Sequence, residues 1–127
     1  MSKSLDDKKP IFIQIKEVIE DQIINEQLME HDQIPSTNKL VQFYKVNHIT
    51  VAKGINLLVE EEIVYKKRGV GMFVAEGAKE KLVHQRREGF AEEFVIPMLK
   101  EANKLKLSDS EIVKIIEKLK GRVDHEE

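Results

Sequence analysis

The stretch Ser36-Thr37-Asn38-Lys39-Leu40-Val41-Gln42-Phe43-Tyr44-Lys45-Val46-Asn47-His48-Ile49-Thr50-Val51-Ala52-Lys53 decides the fold. Ser36 is a good N-cap, because its hydroxyl can accept from an amide that the first helical turn leaves unpaired. The pattern predicts a helix over Thr37–Tyr44, with Leu40, Val41 and Tyr44 on its inward stripe. Val46-Asn47 breaks that pattern, and Asn47 can cap a further helix over His48–Glu60. Val51, Ile55 and Leu58 lie on the buried face of that helix, with Leu57 beside them. Two short helices joined by a tight turn are a helix-turn-helix candidate. Many all-helical proteins contain such a pair, so the flanking sequence has to decide.

Downstream, Ile63-Val64-Tyr65 is strand-like, being rich in β-branched and aromatic residues. Lys66-Lys67-Arg68-Gly69-Val70-Gly71 reads as a basic turn whose glycines permit positive φ. Met72-Phe73-Val74 is a second short strand. A helix-turn-helix followed by a basic hairpin is a winged helix-turn-helix arrangement. Upstream, residues 1–9 read as a floppy polar start. Pro10 suits the first position of a helix, where its missing N–H costs nothing. Phe12, Ile15, Ile19 and Ile23 follow at helical spacing, widened by Ile11 and Val18, and this helix is expected to run to about Asn25. Gln27–Pro35 has no clear period and reads as a connector.

Residues 76–127 read as a separate helical appendage. Leu82, Val83, Phe90, Phe94, Met98 and Leu99 mark a long helix, which Pro97 should kink or end. Ser108-Asp109-Ser110-Glu111 is a capping box, flanked by Leu107 and Ile112 at staple spacing. Ile112, Ile115, Ile116 and Leu119 form the stripe of a last helix, with Gly121 as its expected stop. A two-helix appendage cannot bury both faces on itself. Phe90, Phe94, Met98, Ile112, Ile115, Ile116 and Leu119 therefore need a partner. A second copy of the chain in a two-fold dimer is the expectation. Folding back onto the winged domain is the alternative.

The 127 residues are 41% hydrophobic and 35% charged, enough for a core and against wholesale disorder. The absence of cysteine excludes a disulfide scaffold, a thiol nucleophile and a cysteine-based zinc finger. No apolar run is long enough for a membrane span, and the start lacks the apolar stretch of a signal peptide, so a cytoplasmic protein without membrane partners is expected. The net charge of -2 hides a segregation. Residues 36–75 carry 6 Lys+Arg against 3 Asp+Glu, whereas residues 1–35 carry 4 against 8. That basic middle can meet phosphate, or it can be a solvated face. The histidines His31, His48, His84 and His125 are scattered without a ligand pair, and no nucleophile–base pairing or glycine-rich phosphate loop is legible. Neither an enzyme nor a metal or cofactor site is expected.

These residues also carry a family resemblance. Pro10-Ile11-Phe12 with Gln14-Ile15 resembles the opening helix of GntR-type bacterial transcription regulators. Leu28 through Pro35-Ser36 and Leu40 resembles the stretch leading into that family's "LPS–x–x–x–L". Val46-Asn47, Thr50-Val51 and Lys53 resemble the entry to its recognition helix. Leu58 and Glu60-Glu61-Glu62 resemble that helix's end, and Arg68-Gly69, Gly71 and Phe73-Val74 resemble the wing signature "GxGxFV". The short helical C-terminal part is similar to the YtrA subfamily. That resemblance implies a dimerisation appendage too small to hold a metabolite pocket. The chain departs from the family at several points. Glu26, His31 and Asp32 stand in a connector where glycines are common. Thr37 and Asn38 stand where an acid and an arginine often follow "PS". His48 replaces a frequent arginine, and Glu62 the usual glycine. Loss of the arginines removes bidentate guanine readers and strong phosphate contacts.

The N-terminal residues of a recognition helix meet base edges, and its early amides can meet a phosphate. Asn47 and Thr50 can donate there, although Asn47 is equally an N-cap. His48 can read a purine N7 or a phosphate, or stand idle. Ile49 can touch a thymine methyl or pack on the preceding helix. Lys53 can reach a phosphate or remain solvated. Ser36, Thr37 and Asn38 open the helix that crosses the DNA backbone. By the resemblance, the wing residues Lys66, Lys67, Arg68 and Gly69 enter or flank the minor groove, where an arginine finds enhanced negative potential.

The expectation is a mainly α protein with a small β-wing. Residues 9–75 would form a winged helix-turn-helix DNA-binding domain, and residues 76–127 a two-helix dimerisation region. A homodimer would bind double-stranded DNA at an inverted-repeat operator as a transcriptional regulator, a repressor by resemblance. A protein-contact module with a decayed DNA face is the rival reading. A small-molecule effector is left open.

Overall fold

The computed structural model describes Leu5 and residues 8–124. Most of the polar start, and His125, lie outside the described residues. The chain forms α1 (Ile11–Ile24), α2 (Thr37–Tyr44), α3 (His48–Glu60), β1 (Val64–Lys67), β2 (Gly71–Val74), α4 (Ala78–Phe90), a π-type turn (Ala91–Val95), α5 (Ile96–Lys104) and α6 (Asp109–Asp124). It divides into two compact units, residues 1–85 and 86–127.

The first unit is built on the apolar stripe of α1. Ile15, Val18, Ile19 and Ile23 are buried. Of these, Ile15, Ile19 and Ile23 cluster with Leu40 of α2, Val51, Ile55 and Leu58 of α3, and Ile63, Val64 and Val74 at the hairpin. Burying one such side chain is worth about 2 kcal/mol. Ile11, expected to widen the stripe, is instead exposed. It lies one residue into the helix, because Pro10 is the N-cap rather than the first helical residue. Leu5 packs against the core, and Lys9 pairs with Glu17 at 2.9 Å, so these described parts of the polar start are held. α1 and the end of α3 share an ion cluster. Lys16 lies 3.2 Å from both Glu20 and Glu61.

The two central helices have the expected bounds, because both are set by local caps. Ser36 Oγ accepts from the Lys39 N–H at 3.1 Å, and Asn47 Oδ1 accepts from the Thr50 N–H at 2.8 Å. Between them, Lys45 takes the left-handed conformation (φ 56°, ψ 45°) and its N–H donates to the Val41 carbonyl.

The hairpin is antiparallel, pairing Val64 with Val74 through Lys67 with Gly71. Lys66 and Lys67, expected in the turn, belong to β1. The turn proper is Arg68–Val70, closed by the Val70 N–H donating to the Lys67 carbonyl at 2.9 Å. The connector also differs from expectation. Residues 31–34 run antiparallel beside β2, with His31 N–H donating to Val74 and Ile34 N–H to Met72, and Gln33 paired with Phe73. The segment has no alternation of its own because its pairing is made by the tertiary fold.

The expected division between residues 75 and 76 moves C-terminally. Ala78 and Leu82 are buried in the core of the first unit. Glu30 accepts from the Gly77 N–H at 2.6 Å, and Lys79 pairs with Glu26 at 2.8 Å, fixing the start of α4.

In the second unit, the backbone keeps right-handed helical dihedrals at Val95 and Ile96, so Pro97 does not end the helical run. α-type bonding gives way to a π-type turn just before it, in which the Ile96 N–H donates to the Ala91 carbonyl, five residues back. Proline supplies no N–H and crowds the preceding turn, and the wider turn accommodates both effects. The capping box forms as expected, with Ser108 N–H donating to Glu111 Oε1 at 2.9 Å and Glu111 N–H to Ser108 Oγ at 3.2 Å. Gly121 does not stop α6, which continues to Asp124.

Candidate nucleic-acid interface

Three pieces of the first unit carry the candidate residues. At the start of α2, Ser36 is engaged as a cap, Thr37 is half-buried, and Asn38 and Lys39 are exposed. At the start of α3, Asn47 and His48 are exposed and Thr50 is half-buried. Ile49 is 81% exposed, which removes the alternative that it packs on α2. An apolar side chain held in water at the tip of a helix is suited to a contact outside the chain. The Asn47 cap uses its Oδ1.

Lys53 lies farther along α3. Its ammonium sits 4.1 Å from the centre of the Phe12 ring, so a cation–π contact anchors its charge beside the first turn of α1. The side chain remains exposed.

In the wing, Lys66, Lys67, Arg68 and Gly69 are all exposed. The Lys67 ammonium stands 5.0 Å from the Phe73 ring centre. Gly69 has φ 77°, which favours glycine on backbone grounds, while the space around it is open. Gly71 differs. Its φ is 146°, and a β-carbon there would collide with the Gln33 amide. Tyr65 stacks on Phe73, and its hydroxyl lies 2.9 Å from His31 Nδ1, bracing the root of the hairpin. A cleft of about 290 Å³ separates the wing from the α2 start, bordered by Pro35, Ser36, Thr37, Lys66, Lys67 and Gly69 among others.

Sequence reasoning did not single out Gln33 or Phe43. Phe43 is exposed and meets Tyr44 edge-on at 4.8 Å. Burial pushes the Tyr44 phenol up. In the second unit, Phe90, Phe94, Met98, Ile115, Ile116 and Leu119 are exposed, and Ile112 is half-buried. Leu99, Leu105, Val113 and Val123 add to that apolar surface.

A helix-turn-helix core with a basic two-stranded hairpin defines the winged helix-turn-helix class. The model of the gntR family of bacterial regulatory proteins matches residues 13–74. The chain is 30% identical over 99 residues to the uncharacterized HTH-type transcriptional regulator YhcF of Bacillus subtilis, covering 73% of this chain and 82% of YhcF. It belongs to the GntR family of DNA-binding transcriptional regulators. A GntR family transcriptional regulator from Listeria monocytogenes superposes with a TM-score of 0.71 at 26% identity, over 90% of this chain and 98% of the other. AraR(DBD) in complex with operator ORE1 superposes with a TM-score of 0.52 at 31% identity, over 59% of this chain and 94% of the other. The chain spans between 18% and 28% of the length of several further curated relatives, some of them named repressors. Among the described residues, no helix is long and apolar enough to cross a membrane.

Proposed function

We propose that this protein represses transcription by binding an inverted-repeat operator as a homodimer, in the manner of the YtrA subfamily. The observation that carries the DNA-binding part is the exposed tip of α3. It offers Asn47, His48, Ile49 and Thr50 together, on the same unit as the exposed wing cations. In this reading α3 enters the major groove. Ser36, Thr37 and Asn38 meet the backbone through side chains and early amides. Lys66, Lys67, Arg68 and Gly69 lie along the adjacent groove, and Lys53 adds charge behind them. The exposed apolar residues of the second unit, Phe90, Phe94, Met98, Ile115, Ile116 and Leu119 with half-buried Ile112, support self-association. Two-fold symmetry would set half-sites about one helical turn apart, ~34–36 Å. Repression would follow by occlusion; several relatives are named repressors.

The test is selection of a randomised duplex pool by the purified full chain, with affinity titrated against salt. Enrichment of an inverted repeat with a steep salt slope is expected. Negligible binding at low salt with no enriched sequence would overturn the reading.

A further inference from the structure

We propose that Gln33 is a positioning residue for DNA contact. Its side-chain amide would tether the wing tip to the segment that enters α2, and so set the spacing between the two backbone-contacting parts. The proposal rests on the DNA-binding reading above.

Gln33 Nε2 donates to the Val70 carbonyl at 3.1 Å. Val70 closes the Arg68–Val70 turn, so the bond holds the loop that carries Arg68 and Gly69. On the other side, Gln33 is fixed by its backbone. It pairs with Phe73, and its neighbour Ile34 donates to Met72 at 2.9 Å. Ile34 is buried, and after Pro35 the chain reaches Ser36, the cap of α2. One short segment thus carries both the start of α2 and the hold on the wing.

Gly71 makes room for this tether. A β-carbon at that position would occupy the space of the Gln33 amide nitrogen. The two wing glycines therefore have separate tasks. Gly69, with open space around it, serves the turn, whereas Gly71 lets the Gln33 amide pass to Val70. A hairpin tip held by its own ladder alone samples more conformations, and ordering it at the moment of binding weakens affinity. The tether orders it beforehand.

The experiment compares the full-length wild type with Gln33→Met, which keeps the chain length but has no donor, and with Gln33→Glu, which keeps the shape and places a carboxylate at the Val70 carbonyl. Each is also made with Arg68→Ala. The probe is the duplex enriched from the randomised pool or, failing enrichment, a mixed-sequence duplex at low salt. Amide ¹⁵N heteronuclear NOEs of Gly69 and Val70 are measured on the free protein. Gln33→Met should keep the thermal midpoint within about 2 °C. It should lower both NOEs and weaken binding about three- to ten-fold. Gln33→Glu should weaken it further. In the Arg68→Ala background most of the loss from Gln33→Met should vanish, because the tether acts through the tip. Unchanged NOEs, or the same loss in both backgrounds, would overturn the proposal. If the wild type binds neither duplex, the DNA reading falls and the positioning role with it. The NOEs would then still decide whether the tether orders the wing.

Discussion

Gly54 of α3 lies so close to α1 that a β-carbon built on it would stand 2.5 Å from the Phe12 carbonyl oxygen. The obstacle is backbone, which cannot rotate away. Gly54→Ala gains about 1 kcal/mol of helix propensity. The clash forces the helices apart, and overpacking of this kind costs about 1–3 kcal/mol. We expect a net loss of stability in urea unfolding, accompanied by weaker DNA binding because α3 is displaced. A more stable Gly54→Ala protein would show that the two helices separate freely.

Arg68→Ala should weaken binding on every duplex by a similar factor and lower the salt slope by about one per bound protomer. Stability should stay within about 0.5 kcal/mol, since Arg68 is exposed. Titration against salt reads the slope directly, and an unchanged slope would remove the wing from the interface.

Ile49→Ala should leave the melting curve in place, because the side chain is in water. Its effect should fall on sequence preference. One position of the selected operator should lose discrimination for thymine worth about 1 kcal/mol. A uniform loss across all sequences would assign Ile49 to general contact instead.

Ile116→Glu places a charge in the exposed apolar surface of the second unit. Sedimentation should show a dimer weakened about ten-fold or more, with the circular dichroism of the folded chain retained. Affinity for the full inverted repeat should drop, while affinity for a single half-site changes little. A variant that stays fully dimeric would place the dimer contact elsewhere.

The acid limb of α6 stability should trace to Glu111. Hydrogen bonds from the Ser108 backbone first, and with its side chain second, hold the Glu111 carboxyl below its ordinary value of 4.5. Folding thus favours the ionised form. Its contribution is present above that ordinary value and is lost as pH falls through the lower folded value. A side-chain ¹³C titration should show the depressed midpoint, and Glu111→Gln should flatten the acid dependence of α6 helicity.

Much of this fold was legible because local chemistry sets it. The caps Ser36 and Asn47 bound α2 and α3, and the capping box at Ser108 and Glu111 starts α6. The bridge beside β2 was not, because Gln33 owes its pairing to Phe73, which is distant in sequence. Gly54 was invisible for a similar reason, since a lone glycine in a helical pattern does not announce what approaches it. The departures at Glu26, His31 and Glu62 were more informative. All three adopt positive φ, at 61°, 69° and 61°, so the backbone keeps the conformation that the family's glycines favour. Within the candidate interface, the tips of α2 and α3 could be read from their caps. The hold on the wing could not, because it joins a side chain to a carbonyl 37 positions away.

The π-type turn at Ala91–Val95 turns the second unit into a matter of counting. Such a turn is an α-helix carrying one residue in excess. Each residue of an α-helix advances the azimuth by about 100°. Deleting a single residue between Ala91 and Val95 would remove that excess and leave Met98 and Leu99 at nearly the same azimuth relative to Phe90. Closing the turn into ordinary α-helix with every residue kept would instead swing them by about 100° and break the hydrophobic meridian without changing one letter. The turn thus absorbs a length change of one, and lineages that differ by it should present the same faces.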